Sequence, residues 1–131
     1  MSDSVRMFVN GQAMSGGPLH DALAGARFLG PVRTAPDYRF FSFDDVFPGI
    51  APVPDGGWSV PGEIYEISYT QLRRDLLPRE PAELELSVIE LEDGTGSLSM
   101  VCRTLPGATD AVEITAAGGW REHLGAVSTA R

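Results

Sequence analysis

Residues Phe8 to Leu23 read FVNGQAMSGGPLHDAL, and the fold turns on what these residues do. An apolar run from Val5 to Val9, interrupted by Arg6, has the composition of a strand and stops at Asn10-Gly11. Small residues follow, then Gly16-Gly17-Pro18, then a short helical pattern. Proline at a first helical position has its φ already set and leaves no N–H unpaired, so Pro18 predicts the start of a helix running to about Ala24. Backbone N–H groups of the loop and the positive helix end would then converge on one spot, a pocket suited to a carboxylate or carbamate. The same glycines also suit an ordinary strand–turn–helix connection, and spacing alone leaves both readings open.

Working outward, the 131 residues suffice for one domain over 1–131, with a single core. A net charge of −8 argues against nucleic acid and anionic membrane as partners. All ten basic residues are arginines, which excludes Schiff-base lysines, P-loop lysines and Ser–Lys amidase pairs. Cys102 is the single cysteine, so no intrachain disulfide or cysteine metal cluster can form, and its apolar strand setting predicts a small buried hydrophobe. Two histidines, His20 and His123, are too few for a metal site by themselves, though carboxylates could complete one, and no metal or organic cofactor is expected. No run approaches the roughly 20 apolar residues of a membrane span, and the start MSDSVR lacks a signal-peptide core. A cytoplasmic protein is expected.

Arg27 to Arg33 carries a central Gly-Pro and predicts a bulged strand near an edge. Tyr38 to Phe43 is an aromatic strand, and Asp44 to Gly57, rich in proline and glycine, predicts a long surface loop or lid. Trp58 to Ile67 alternates as a strand, with Ile64, Tyr65 and Ile67 as core candidates. Tyr69 to Leu77 predicts a short helix closed by Pro78. In Glu83 to Glu92, Leu84, Leu86 and Val88 face one way, with a shift near Ile89 and Leu91 that suggests a bulge. Asp93-Gly94 then signals a hairpin returning through Ser97 to Thr104. The tail shows an extended piece, Ala111 to Thr115, and a short helix from Trp120 to about Leu124. Such a sequence of elements predicts an α+β fold, a small mixed β-barrel of about six strands with short flanking helices and no βαβ units.

Four blocks, in order, carry a resemblance: Val9 to Leu23 (VNGQAMSGGPLHDAL), Thr34 to Arg39 (TAPDYR), Leu84 to Gly94 (LELSVIELEDG) and Ala111 to Leu124 (AVEITAAGGWREHL). Together they resemble the C-terminal domain of allophanate hydrolases, within the gamma-glutamylcyclotransferase-like (AIG2-like) group. The resemblance implies a small β-barrel with flanking helices, in which the loop after the first strand binds the polar head of the substrate. It supports Asn10, Gly11, Gln12, Ala13 and Met14 as substrate-binding residues. Three departures stand out. The 131 residues hold no amidase domain with its Ser–Ser–Lys centre, and a freestanding copy is expected. Ala13 stands where the family loop commonly has histidine, and Cys102-Arg103 stands where the family often has Cys-Glu.

Cyclotransferase relatives use one glutamate beyond the helix that follows the pocket-wall strand as general acid/base, a role that needs a pKa raised by partial burial. Here that region is Leu77 to Glu83, and Glu80 is the first candidate, with Glu83 the fallback; a solvated turn fits the same residues. Arg39 could clamp a carboxylate bidentately or lie on the wet face of its strand. Tyr38 and Tyr65 could wall the pocket or fill the core. His20 could titrate near neutrality or serve as a polar surface residue, and Trp120 is expected to anchor the tail. The resulting expectation is a cofactor-independent enzyme acting on a small anionic amide or carbamate, by N-carboxycarbamate breakdown or gamma-glutamyl cyclotransfer. The alternative is a non-catalytic module that partners a separate amidase or a second copy of itself.

Overall fold

In the computed structural model, which describes residues 3–103 and 111–129, the opening run forms β1 (Ser4–Val9). It is followed by β2 (Arg27–Arg33), β3 (Tyr38–Phe43), β4 (Phe47–Pro52), β5 (Pro61–Ser68), β6 (Leu84–Glu90), β7 (Gly96–Cys102) and β8 (Val112–Glu113). One sheet has five strands in the order β2-β5-β1-β7-β6, and the other has three, β4-β3-β8. β1 is therefore central. It pairs antiparallel with β5 from Ser4↔Ser68 to Val9↔Glu63, and parallel with β7 at Met7↔Leu98. The parallel pair joins segments 90 residues apart, as the Arg6–Gly96 contact shows, rather than the two strands of a short βαβ unit. Met7, Phe8 and Val9 are all buried, because both faces of this strand are covered. The close approach needs Gly62, where a Cβ would meet the Phe8 ring and the Val9 carbonyl at 2.5 Å.

The edges of the five-stranded sheet touch at one corner. Thr34, just past β2, bridges Leu91, just past β6, with Ala35 N–H donating to Glu90 O (2.9 Å) and Glu92 N–H to Arg33 O (2.9 Å). No closed barrel is found among the described residues, and the strands number eight rather than about six. β2 is an edge strand with a register shift between Phe28 and Gly30, as its Gly-Pro predicts.

Several elements differ from expectation. The loop foreseen over Asp44 to Gly57 contains β4, an edge strand where its prolines break no inner ladder. Asp44 and Asp45 turn the chain with positive φ (55° and 58°), a job aspartate tolerates better than most side chains. Pro18 does not start a helix: only a 3₁₀ turn forms, over His20–Leu23. Pro78 does not close the later helix either. A short α1 (Tyr69–Gln71) continues into a π turn (Leu72–Leu76) and then a 3₁₀ turn (Leu77–Arg79) with Pro78 in its first turn. Ser68 caps this segment by accepting from Gln71 N–H (3.0 Å), and Leu72 and Leu76 bury its inner face.

β6 pairs with β7 in unbroken register, so the bulge suggested near Ile89 is absent. Leu84 and Ile89 are buried while Leu86 and Val88 are exposed, since β6 is an edge and only its ends are covered. The hairpin at Asp93-Gly94 forms as read, with Gly94 at φ +87°. Thr104, the expected end of the returning strand, lies outside the described residues. α2 (Trp120–Thr129) runs longer than expected, and Trp120 is buried as an anchor. No helix among the described residues is long and apolar enough to cross a membrane.

Candidate functional site

The end of β1 and the end of the helical segment before β6 meet over a cavity of about 30 Å³. One water needs roughly 10–15 Å³ by this kind of measure, so the space suits a small guest. Asn10, Gly11, Gln12 and Ala13 form one side and Glu80 another, with Leu19, Phe47, Leu84 and Met100 as apolar walls. Gly11 is required here, because a Cβ would collide with the Pro48 ring. Gly17 is required for a similar reason: its Cα side lies against the Gln12 carbonyl, which accepts from Leu19 N–H (2.9 Å) and curls the loop back.

The donors of this loop are unspent. Among the described residues, the N–H groups of Gly11, Gln12 and Ala13 have no acceptor, whereas those of Met14, Ser15 and Gly17 do. The Asn10 Nδ2 is buried without a hydrogen-bond partner. An orphaned buried donor costs about 1–3 kcal/mol, so this amide has the capacity for one more acceptor.

Glu80 follows the 3₁₀ turn in extended conformation, its N–H bonded to Leu77 O (3.1 Å). Burial pushes its carboxyl up to about 7, and among the described residues nothing donates a hydrogen bond to it. A carboxyl that titrates near neutrality, beside uncommitted donors in a partly closed cavity, can both give and take a proton.

A second carboxylate lies behind the same loop. Glu63 on β5 accepts from Ser15 N–H (2.8 Å), Ser15 Oγ (2.7 Å), Tyr65 OH (3.1 Å) and the Arg121 guanidinium (3.2 Å). Burial alone would raise its pKa, but these hydrogen bonds outweigh it and hold the carboxyl below the ordinary glutamate range. Burial and the Glu63 charge push the Tyr65 phenol up to about 12. Tyr65 is thus a core residue with a polar anchor, and Tyr38 is likewise buried, its hydroxyl accepting from Glu90 N–H (3.0 Å). His20 braces the loop, with Nδ1 3.0 Å from Ala13 O and its ring against Tyr65.

Of the residues singled out from sequence, Asn10, Gly11, Gln12, Ala13 and Glu80 share the cavity. The other three do not border it. Met14 is buried and borders a separate hollow of about 220 Å³ beside Ser15 and Arg121. Arg39 is engaged by Glu113 at 2.7 Å. Glu83 is exposed, its carbonyl accepting from Arg103 N–H (2.9 Å). Cys102 is half-buried against Gly49, and burial pushes its thiol up to about 11, so it stays protonated. No group of three metal-ligating side chains occurs among the described residues. Glu63, Ser15 and Arg121 were not anticipated. The available signal was that Glu63 shares strand parity with Tyr65 and Ile67, and an acid on a core face needs partners.

The family model for the allophanate hydrolase C-terminal domain matches residues 5–125. The solved structure of c4763, a uropathogenic E. coli-specific protein, is similar with a TM-score of 0.86 and 33% identity, covering 94% of this chain and 97% of that one. Kluyveromyces lactis allophanate hydrolase is similar with a TM-score of 0.85 and 27% identity, over 95% of this chain but 22% of that enzyme. A gamma-glutamyl cyclotransferase superposes over 85% of this chain and 70% of its own with a TM-score of 0.54 and 11% identity, a likeness of fold alone. Among curated proteins none matches.

Proposed function

Because this chain belongs to the allophanate hydrolase C-terminal domain family, we propose that the Glu80 cavity acts on a small anionic amide or carbamate. The observation that carries the reading is the meeting of unspent donors from Asn10 to Ala13 with a carboxyl raised to about 7. The donors hold the substrate's oxygen and stabilise charge as it develops there. Breakdown of an N-carboxylated carbamate then needs one proton. Protonated Glu80 gives it to the nitrogen, the C–N bond breaks with its electrons going to nitrogen, and carbon dioxide leaves. In gamma-glutamyl cyclotransfer, ionised Glu80 would instead take the proton of the attacking amine and return it to the leaving amine. The small cavity favours the first chemistry. Neither route calls on a metal or organic cofactor.

Titration with malonate, an anion of suitable size, tests the cavity; assays for ammonia, carbon dioxide and pyroglutamate with Glu80→Gln test the chemistry. Turnover that survives this substitution removes Glu80 from the mechanism. Ala13, in place of the family's histidine, favours a second reading: a binding module that works beside a separate amidase or a second copy of the chain. The K. lactis enzyme supports the amidase partner, since the matched region makes up only part of that chain. Malonate binding with no turnover of any kind would select this reading.

A further inference from the structure

Glu63 and Arg121 take no part in the chemistry proposed above, yet both grip the segment that would perform it. Val9, the last residue of β1, is paired with Glu63 in the sheet. Six residues further on, Ser15 returns to the same Glu63, through its N–H (2.8 Å) and its hydroxyl (2.7 Å). The donor segment Asn10 to Met14 is therefore a short loop with both ends fastened to one residue. Arg121 adds a third attachment, its Nη2 donating to Ser15 O (2.6 Å), Ser15 Oγ (3.1 Å) and Glu63 (3.2 Å). Every polar group of Ser15 is thereby engaged.

Arg121 belongs to α2, and α2 also reaches a second part of the lining. His123 pairs with Asp45 at 2.6 Å, in the turn that leads into Phe47 and Pro48 of the cavity. Trp120, buried and stacked on His123, fixes the helix between the two contacts. The donor loop and the Phe47-Pro48 part of the lining thus both lean on one turn of one helix.

We infer that Glu63 and Arg121 are positioning residues, which hold Ser15 so that the Gly11, Gln12 and Ala13 amides stay ordered over the Glu80 cavity. For a guest of that cavity, helix docking and occupancy become linked equilibria, each strengthening the other. The link to binding rests on the proposed function; the ordering of the loop does not.

The test uses the full chain, with ¹⁵N relaxation at residues 11–15 and malonate titration, in wild type, Arg121→Ala, Arg121→Lys and Ser15→Ala. In wild type the loop amides should match β1, with order parameters of about 0.85. Arg121→Ala should lower them below about 0.6 while β1 and β5 stay unchanged. It should also weaken malonate about tenfold, and Arg121→Lys, which can still donate to Ser15 O, should recover most of both losses. Ser15→Ala, at an exposed position, breaks the hydroxyl links without emptying the core, and should produce a smaller loss of the same kind. Loop order and malonate affinity at wild-type values in Arg121→Ala would overturn the inference. Were Arg121→Ala unable to fold, the same values in Ser15→Ala would overturn it. A loop that loosens in a chain that never binds malonate would uphold the inference and remove the proposed function; equal malonate affinity with an equally ordered loop would do the reverse.

Discussion

Glu80 and Glu63 flank the same loop, and their surroundings drive them in opposite directions. Glu63 exposes only 6% of its surface, so burial by itself would favour its neutral form. Four donors reverse that, and the group stays ionised below the ordinary glutamate range. Glu80 is only half-buried but lacks the donors, and burial raises its carboxyl to about 7. The contrast shows that partners, more than enclosure, decide whether a buried acid is committed to structure or free for proton transfer. Experiments that treat the two carboxylates alike should therefore give opposite answers.

The largest expected effect is on turnover. Glu80→Gln should lower kcat by about 10²–10⁴-fold, the usual worth of a general acid/base, while malonate affinity changes by less than about threefold. Steady-state kinetics beside calorimetry would show this split; equal losses in both would make Glu80 a binding group and weaken the contrast.

Stability comes next. Glu63→Ala strands the Ser15 N–H and the Tyr65 hydroxyl and should cost about 2–4 kcal/mol in chemical denaturation. Glu80→Gln should go the other way at high pH. A raised folded pKa means the folded state holds its proton when the unfolded chain has lost it. Wild-type stability should therefore fall as pH climbs from the ordinary glutamate value through about 7. Glu80→Gln, which stays neutral, should be the more stable protein above pH 7 by about 3–5 °C per kcal/mol of penalty removed, and indistinguishable near pH 4. Glu63 has the opposite sign: its contribution is full above the ordinary carboxylate value and disappears as acid protonates it through its lowered folded pKa. Melting curves across pH in Glu63→Gln and Glu80→Gln would show the two slopes crossing, and parallel curves would break the comparison.

Smallest is Arg39→Ala. Its partner Glu113 is exposed, so the loss should stay below about 1 kcal/mol with malonate binding untouched. A clear drop in affinity would bring Arg39 back to the site.

How much of this was legible follows from range. The β1 loop, the Asp93-Gly94 hairpin, the edge bulge of β2 and the placement of Glu80 beyond a helical turn depend on neighbours in sequence, and all can be read there. β4 hid behind its prolines, because an edge position that tolerates them is a property of the sheet and not of the segment. Leu86 and Val88 alternate like core residues but occupy an uncovered edge. The Glu63 clamp was hidden for another reason: its partners lie 48 and 58 residues away, and no local pattern reports such a meeting. Arg39 stayed open because an arginine between aromatics looks the same whether its counter-charge is a guest or Glu113.

The central place of β1 has a kinetic side. Its β7 neighbour arrives late: the Arg6 side chain finds the Gly96 carbonyl 90 residues along the sequence. Such non-local closure slows folding, since the entropy of a large ring must be lost before its contacts form. During synthesis, the strand from which the donor loop hangs has one flank open until Gly96 to Cys102 leave the ribosome. A nascent chain halted before that point would carry every residue of the opening loop and Glu80, yet lack β7, the strand that joins β1 to β6.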